Sequence, residues 1–293
     1  MDQLTTQSAL PRLDVLLSPL DVFRSDMLPT FLIIGAQKAG TTSLASYLTA
    51  HPDVVASKWK EVHFFDLNYA KGRDWYRAHF PVGRKRKLRS RLPGSVLMSG
   101  DATPYYLLHP RVPERAAKLL PDARIIIMLR DPVDRAYSHY HHEVRLGIEP
   151  LTFEDAIAAE PIRIAGELEK LQSDSLYQSV NYQHFTYLER GIYAVQILRW
   201  LKWFRRDRIL MLSAEQFFKD PKAEYERVLS FLGLRPFPLP SYPAEHVGRY
   251  SPLSSRMKDS LREFYSPHNQ VLRHEINRFW PDLGDKITAY FSA

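Results

Sequence analysis

The short apolar run Phe31-Leu32-Ile33-Ile34 ends on the loop Gly35-Ala36-Gln37-Lys38-Ala39-Gly40, which opens directly onto Thr41-Thr42-Ser43 and a helical pattern reaching Ala50. The run reads as a buried strand, and the pattern after it as a helix stopped before His51-Pro52. A strand, a glycine-bearing turn and a helix in direct succession admit few folds. They also suit an anion, because a helix start offers free N–H groups and a positive dipole end, and glycines allow close backbone approach. Lys38 adds a full charge, and Thr41, Thr42 and Ser43 supply hydroxyl donors. The glycines have the G-x-x-x-x-G spacing of a nucleotide P-loop. Here, however, a threonine follows the second glycine, and the lysine stands two positions before it. No aspartate placed to hold a metal follows a second strand, which disfavours a magnesium-dependent NTPase. The bland alternative is a βα turn with a threonine cap.

The same rhythm recurs along the chain. Ser95 to Gly100, Arg124 to Leu129 and Ile209 to Leu212 read as strands, and Pro113 to Leu120, Pro132 to Leu146, Ala194 to Phe204 and Lys222 to Leu232 as helices. Helices alternating with short buried strands predict an α/β fold with a mainly parallel central sheet flanked by helices. Residues 1–28 read as an N-terminal arm and 29–293 as one domain. The polar, weakly periodic stretch Glu160 to Tyr187 reads as an insertion or a lid. Trp200, Trp203 and Phe204 read as core packing.

A second constellation is Arg130-Asp131-Pro132-Val133-Asp134-Arg135-Ala136-Tyr137-Ser138. Arg130 closes an apolar run and so stands at the C-terminal end of a buried strand, the edge where open α/β sheets bind ligands. Pro132 suits a first helical turn. Ser138 falls about one and a half turns further on, so the arginine and the serine are placed to grip one phosphate. Taken alone, Arg-Asp-Pro is also an ordinary helix start whose acidic residues meet the dipole. With the first loop, the two imply a ligand with two phosphate-like ends.

Together these residues resemble the sulfotransferases that use 3′-phosphoadenosine 5′-phosphosulfate (PAPS). Gly35 to Ser43 resembles that family's 5′-phosphosulfate loop, and Leu129 to Tyr140 its 3′-phosphate site. The resemblance continues through Lys60-Glu61-Val62-His63-Phe64-Phe65-Asp66, Gly100-Asp101-Ala102-Thr103-Pro104-Tyr105-Tyr106, Arg190-Gly191-Ile192-Tyr193, Gly248-Arg249-Tyr250-Ser251-Pro252 and Phe264 to Asn269. The nearest branch is the one holding heparan sulfate sulfotransferases and bacterial relatives. The resemblance implies the sulfotransferase fold, PAPS as co-substrate and PAP as product. It places Lys38 on the 5′-phosphate and bridging oxygen, with Ala39, Gly40, Thr41, Thr42 and Ser43 in the same cradle. Arg130 and Ser138 hold the 3′-phosphate, Gly248 and Arg249 close a loop over it, and Tyr193 approaches the nucleotide. Glu61 matches the general base, a role that burial would serve by bringing its pKa toward working pH. If this piece is a strand, His63 shares a face with Glu61; it supports Glu61, meets the acceptor, or is structural. No metal is implied.

Two departures bear on the acceptor. Heparan-type members carry a lysine where this chain has Ala102, and the cysteine pair of many such enzymes is absent from a chain with no cysteine. Both favour a small molecule, a lipid or a carrier-bound intermediate over a glycosaminoglycan, with transfer to a hydroxyl or an amine. The alternatives are a P-loop kinase of a small metabolite and a noncatalytic nucleotide or polyanion binder.

The remaining features are weaker. Met1-Asp2-Gln3 is not a signal-peptide start and no apolar run nears the roughly 20 residues of a membrane span. A cytoplasmic protein without membrane insertion is expected. The 40 basic and 33 acidic side chains leave a net charge of +7, a mild bias toward anionic ligands. The basic run Arg84 to Arg91 steers an acidic acceptor, serves as a localisation patch, or simply faces water. No nucleic-acid module accompanies it, so nucleic acid is not expected as a partner. His139 and Glu143 have i, i+4 spacing, but no metal site is expected from that pair alone.

Overall fold

The computed structural model describes residues 27–80, 97–245, 248, 250–281, 283, 287, 289 and 291. The arm before residue 27, the basic run Arg84 to Arg91, and Arg249 lie outside the described residues.

Five strands form one sheet in the order β2-β3-β1-β4-β5, with every pairing parallel. They are β1 (Phe31–Gly35), β2 (Val54–Ala56), β3 (Met98–Ala102), β4 (Arg124–Leu129) and β5 (Ile209–Ser213). All of β1 and nearly all of β4 are buried, as strands covered on both faces must be, hence their unbroken apolar runs. The order reverses at β1. The chain goes from β1 to the edge strand β2 and returns inward to β3 beside β1. It then crosses to β4 on the other side and builds outward to β5. The carboxyl ends of β1 and β4 therefore flank a topological switch point, where such sheets bind ligands. The β1–β4 register slips between Ile33 and Gly35, so β1 leaves the ladder where the glycine loop begins.

Helix α1 (Thr41–Ala50) follows β1, and α2 (Gly72–Arg77) and α3 (Val112–Leu119) precede β4. Helix α4 (Pro132–Arg145) follows β4, its start capped by Asp131, which accepts from the N–H groups of Val133 and Asp134. Of the expected strand from Ser95 to Gly100, residues 95 and 96 lie outside the described residues, and the strand runs over Met98–Ala102. Periodicity stopped it at the charged Asp101, yet that carboxylate is buried in the strand and accepts hydrogen bonds from Tyr76, Tyr106 and Thr103, each at 2.8 Å.

The stretch from 160 to 187 is a packed layer. It comprises the end of α5 (Phe153–Arg163), α6 (Glu167–Ser173) and α7 (Val180–His184), with Leu171 and Tyr182 packing on Tyr105 and Leu108. Two acidic residues are buried in it. Glu160 accepts the N–H groups of Leu188 and Glu189, and Glu167 accepts from Tyr177, Ser179 and Lys170.

Helices α8 (Tyr193–Leu201), α9 (Ala214–Lys219), α10 (Pro221–Leu232) and α11 (Ser255–Phe279) complete the fold. Trp200 and Phe204 join the core, but Trp203 is 45% exposed, because α8 ends at Leu201 and the following turn carries that ring outward. None of the described helices is long and apolar enough to cross a membrane.

Candidate active site

The loop after β1 is tied to the sheet by Ala36, whose N–H donates to the Met128 carbonyl at 2.6 Å. Gly40 has φ 91°, and a Cβ there would stand 2.9 Å from the Phe218 ring. No side chain caps the α1 N-terminus, so its first amides remain for an incoming anion. Lys38 holds a left-handed backbone at φ 71°. Its carbonyl accepts from Arg130 Nη1 at 3.0 Å, which locks the two predicted anion sites together. From the other side, the buried Arg190 guanidinium donates to the Gln37 side chain and to the Gln183 carbonyl.

Lys38 sits in a positive field. Burial, then the charges of Arg145, Arg130 and Lys60, lower its pKa to about 8. Such a site favours a polyanion, which removes the repulsion that depresses the lysine. Thr41 and Thr42 stand at the helix start, the first buried and the second half-buried. Ala39 and Ser43 are turned into the protein, and Ser43 Oγ accepts the N–H of Glu245 at 2.9 Å. That bond pins Glu245 against α1.

Ser138 is on α4, nearly buried. Tyr193 is buried, and its hydroxyl donates to the Arg130 carbonyl at 2.9 Å, so it fixes the strand end that carries Arg130. Beyond Gly248, Tyr250 stacks on His141 at 4.2 Å between centroids and 9° between planes, and Ser251 accepts from the Tyr137 hydroxyl. The segment thus packs on the α4 side chains that flank Ser138.

Glu61 and His63 do not lie on a strand. Both occupy left-handed backbone, at φ 56° and 51°, and with Lys38 they are the positive-φ non-glycine residues among those described. Such backbone costs energy and persists only where surroundings enforce it, a recurrent feature of active sites. The enforcement is visible. Tyr106, held by Asp101, accepts the Phe64 N–H at 2.9 Å, and Arg115 donates to the Phe65 carbonyl at 2.6 Å.

This bend turns His63 Nε2 toward Glu61 at 3.5 Å and Nδ1 onto Asp66 at 2.7 Å. Burial alone would lower the histidine pKa, but Asp66 and Glu61 outweigh it and raise the value to about 10. His63 is therefore an imidazolium. For Glu61, burial acts upward, but the hydrogen bond and charge of His63, with Lys60 and His142, bring the carboxyl below its ordinary range. The expectation that burial would bring this carboxyl up toward working pH is corrected: the neighbouring cation overrides desolvation, and Glu61 is ionised.

His142 joins the site without having been singled out for it. It acts electrostatically on both Lys38 and Glu61, and its Nδ1 lies 2.8 Å from Arg145 Nη2. One helical turn beyond Ser138 on the same face is the signal that marks it. His139 faces the interior instead, where Glu143 joins it to His184 at 3.2 and 2.9 Å.

Comparison with known proteins shows the family of the chain. The family described as sulfotransferase domain matches residues 28–273. The sequence is 37% identical over 302 aligned residues to human bifunctional heparan sulfate N-deacetylase/N-sulfotransferase 3, covering 90% of this chain and 31% of that protein. It is 34% identical over 211 residues to human heparan sulfate glucosamine 3-O-sulfotransferase 3B1, covering 72% of this chain and 47% of the other. The chain thus spans less than half the length of these relatives. A crystal structure of a sulfotransferase from Alicyclobacillus acidocaldarius superposes with a TM-score of 0.62 at 30% identity, covering 85% of this chain and 96% of the other. The chain belongs to the sulfotransferase domain family.

Proposed function

We propose that this protein transfers the sulfuryl group of PAPS to a hydroxyl or amine of an acceptor and releases PAP. The observation that carries the reading is the Arg130–Lys38 link, which sets two cationic groups and an uncapped helix start side by side at the switch point, with an ionised carboxylate in electrostatic reach. Arg130 and Ser138 take the 3′-phosphate. Lys38 and the α1 amides take the 5′-phosphosulfate.

The acceptor heteroatom attacks sulfur in line, forming a new bond to sulfur as the bond to the bridging phosphate oxygen breaks. Lys38 stabilises the negative charge that grows on that oxygen. Glu61 receives the acceptor proton. Its low pKa suits a late transfer, since the acceptor proton becomes strongly acidic once the bond to sulfur is forming. His63 positions Glu61 and fixes its ionised state. Positive charge comes from lysine, arginine and backbone, so the scheme calls on no metal.

Calorimetry tests the donor assignment, with PAP titrated in EDTA and ATP titrated in a separate buffer with magnesium and no chelator. PAP is expected to bind and ATP with magnesium to bind far more weakly. The reverse preference would replace this reading with a kinase.

A further inference from the structure

The positive charge of this chain is concentrated. Residues 57–91 carry eleven lysines and arginines against three acids, an excess greater than the +7 of the whole chain. The described part of this stretch, residues 57–80, borders the candidate active site at Lys60 and Glu61. We propose that the face built on Lys58, Trp59, Lys71 and Arg73 docks the protein on an anionic lipid bilayer, as a peripheral contact at the level of the headgroups.

The fold holds these cations together. The Lys58 N–H donates to the His79 carbonyl at 2.7 Å. The His79 ring stands 4.2 Å from the Trp75 ring, and the Lys71 ammonium lies 4.7 Å from the centroid of that same indole. Burial, and then the charges of Lys58 and Lys71, lower the His79 pKa against the pull of the Trp75 carbonyl, so both lysines reach one ring. Arg73 is exposed on α2, two residues after Lys71. The three acids are turned elsewhere: Glu61 and Asp66 to His63, and Asp74 to Arg77.

Trp59 decides which polyanion this face suits. It is 50% exposed between two exposed lysines, on a turn tied by Ser57 Oγ donating to the Trp59 carbonyl at 2.6 Å. An indole flanked by ammonium groups fits the bilayer interface, where the ring sits among headgroups and the cations meet lipid phosphates. A nucleic-acid strand would instead need a row of open aromatic faces on which successive bases stack. Trp75 is engaged by Lys71 and His79, which leaves Trp59 as the open ring of this face.

The test is co-sedimentation of the full chain with phosphatidylcholine vesicles, with and without about one-third phosphatidylglycerol, at low and high salt. The variants are Trp59→Ser and the triple Lys58→Gln, Lys71→Gln, Arg73→Gln, with thermal midpoints recorded to show that the fold is kept. Arg73→Glu alone, at an exposed position on α2, probes the same face with less risk to folding. The wild type is expected to bind the anionic vesicles at least about tenfold more tightly than the neutral ones, and less tightly at high salt. The triple variant should lose about a hundredfold, roughly fivefold per cation, and Arg73→Glu at least about fivefold. Lipids brominated on the acyl chain should quench tryptophan fluorescence in the wild type and not in Trp59→Ser. The proposal is overturned by equal binding to neutral and anionic vesicles, by undiminished binding of the charge variants, or by quenching that survives in Trp59→Ser. Tighter binding of a thymidine oligonucleotide than of the anionic vesicles would also overturn it and assign the face to nucleic acid.

Discussion

Arg130 Nη1 donates to the Lys38 carbonyl across 3.0 Å, so the residue assigned to the 3′-phosphate also holds the loop assigned to the 5′-phosphosulfate. Donor binding and loop geometry are one structural unit, and damage to either end is expected to reach the other.

Arg130→Ala is therefore expected to weaken PAP binding by about tenfold to a hundredfold, the range of a lost charge-assisted hydrogen bond. Because AMP lacks the 3′-phosphate, the variant should narrow the preference for PAP over AMP. Titration calorimetry with both nucleotides checks it. An unchanged PAP to AMP ratio would remove Arg130 from the 3′-phosphate site.

Lys38 gives PAP binding a pH dependence of known sign. With a free-protein pKa of about 8, the lysine is charged below that value and loses its proton above it. The bound anion raises the pKa, so affinity is full below about pH 8 and falls as pH rises beyond it, with proton uptake on binding. Affinity measured from pH 6 to 10 in wild type and Lys38→Met should slope in the first and not in the second.

His63 is expected to matter for stability as well as turnover. Its pKa is raised from the ordinary 6.5 to about 10 in the folded state, so its contribution is fully present below the unfolded value and is lost as pH rises through about 10. His63→Ala leaves Asp66 buried without its imidazolium, and removing one partner of such a pair costs about 3 kcal/mol. Denaturant midpoints at pH 6 and pH 10.5 should differ more in the wild type than in the variant.

Tyr106→Phe tests the scaffold beneath the base. It strips Asp101 of one donor and leaves the Phe64 N–H without its acceptor at 2.9 Å, a loss of about 2 kcal/mol. Because Glu61 and His63 rely on this support for their left-handed backbone, kcat is expected to fall while KM for PAPS stays constant.

Much of the donor half was legible in the chain because its signals are local. The run before Gly35, the uncapped start of α1 and Arg130 at a strand end are all written within a few residues, and all three stand where expected. The acid–base half depends on distant partners. The local pattern around Glu61 and His63 leaves a strand only as a condition, because their bend is imposed by Tyr106 and Arg115, some 40 to 50 residues away. Ser43 offers a hydroxyl that could donate to a phosphate, but only the fold brings the Glu245 N–H to its Oγ. The 160–187 stretch looked loose because Glu160 and Glu167 are polar. Their partners are backbone and hydroxyl groups that sequence periodicity does not reveal.

The central claim is that Glu61 accepts the proton as sulfur moves from PAPS. The most direct test is transfer of sulfur-35 from labelled PAPS to a panel of phenols, alcohols, amines and sugars in EDTA, comparing wild type with Glu61→Gln. The account predicts label on an acceptor with the wild type, a loss of about a hundredfold or more in the variant, as removal of a general base produces, and unchanged PAP affinity. Equal transfer by both proteins would contradict it.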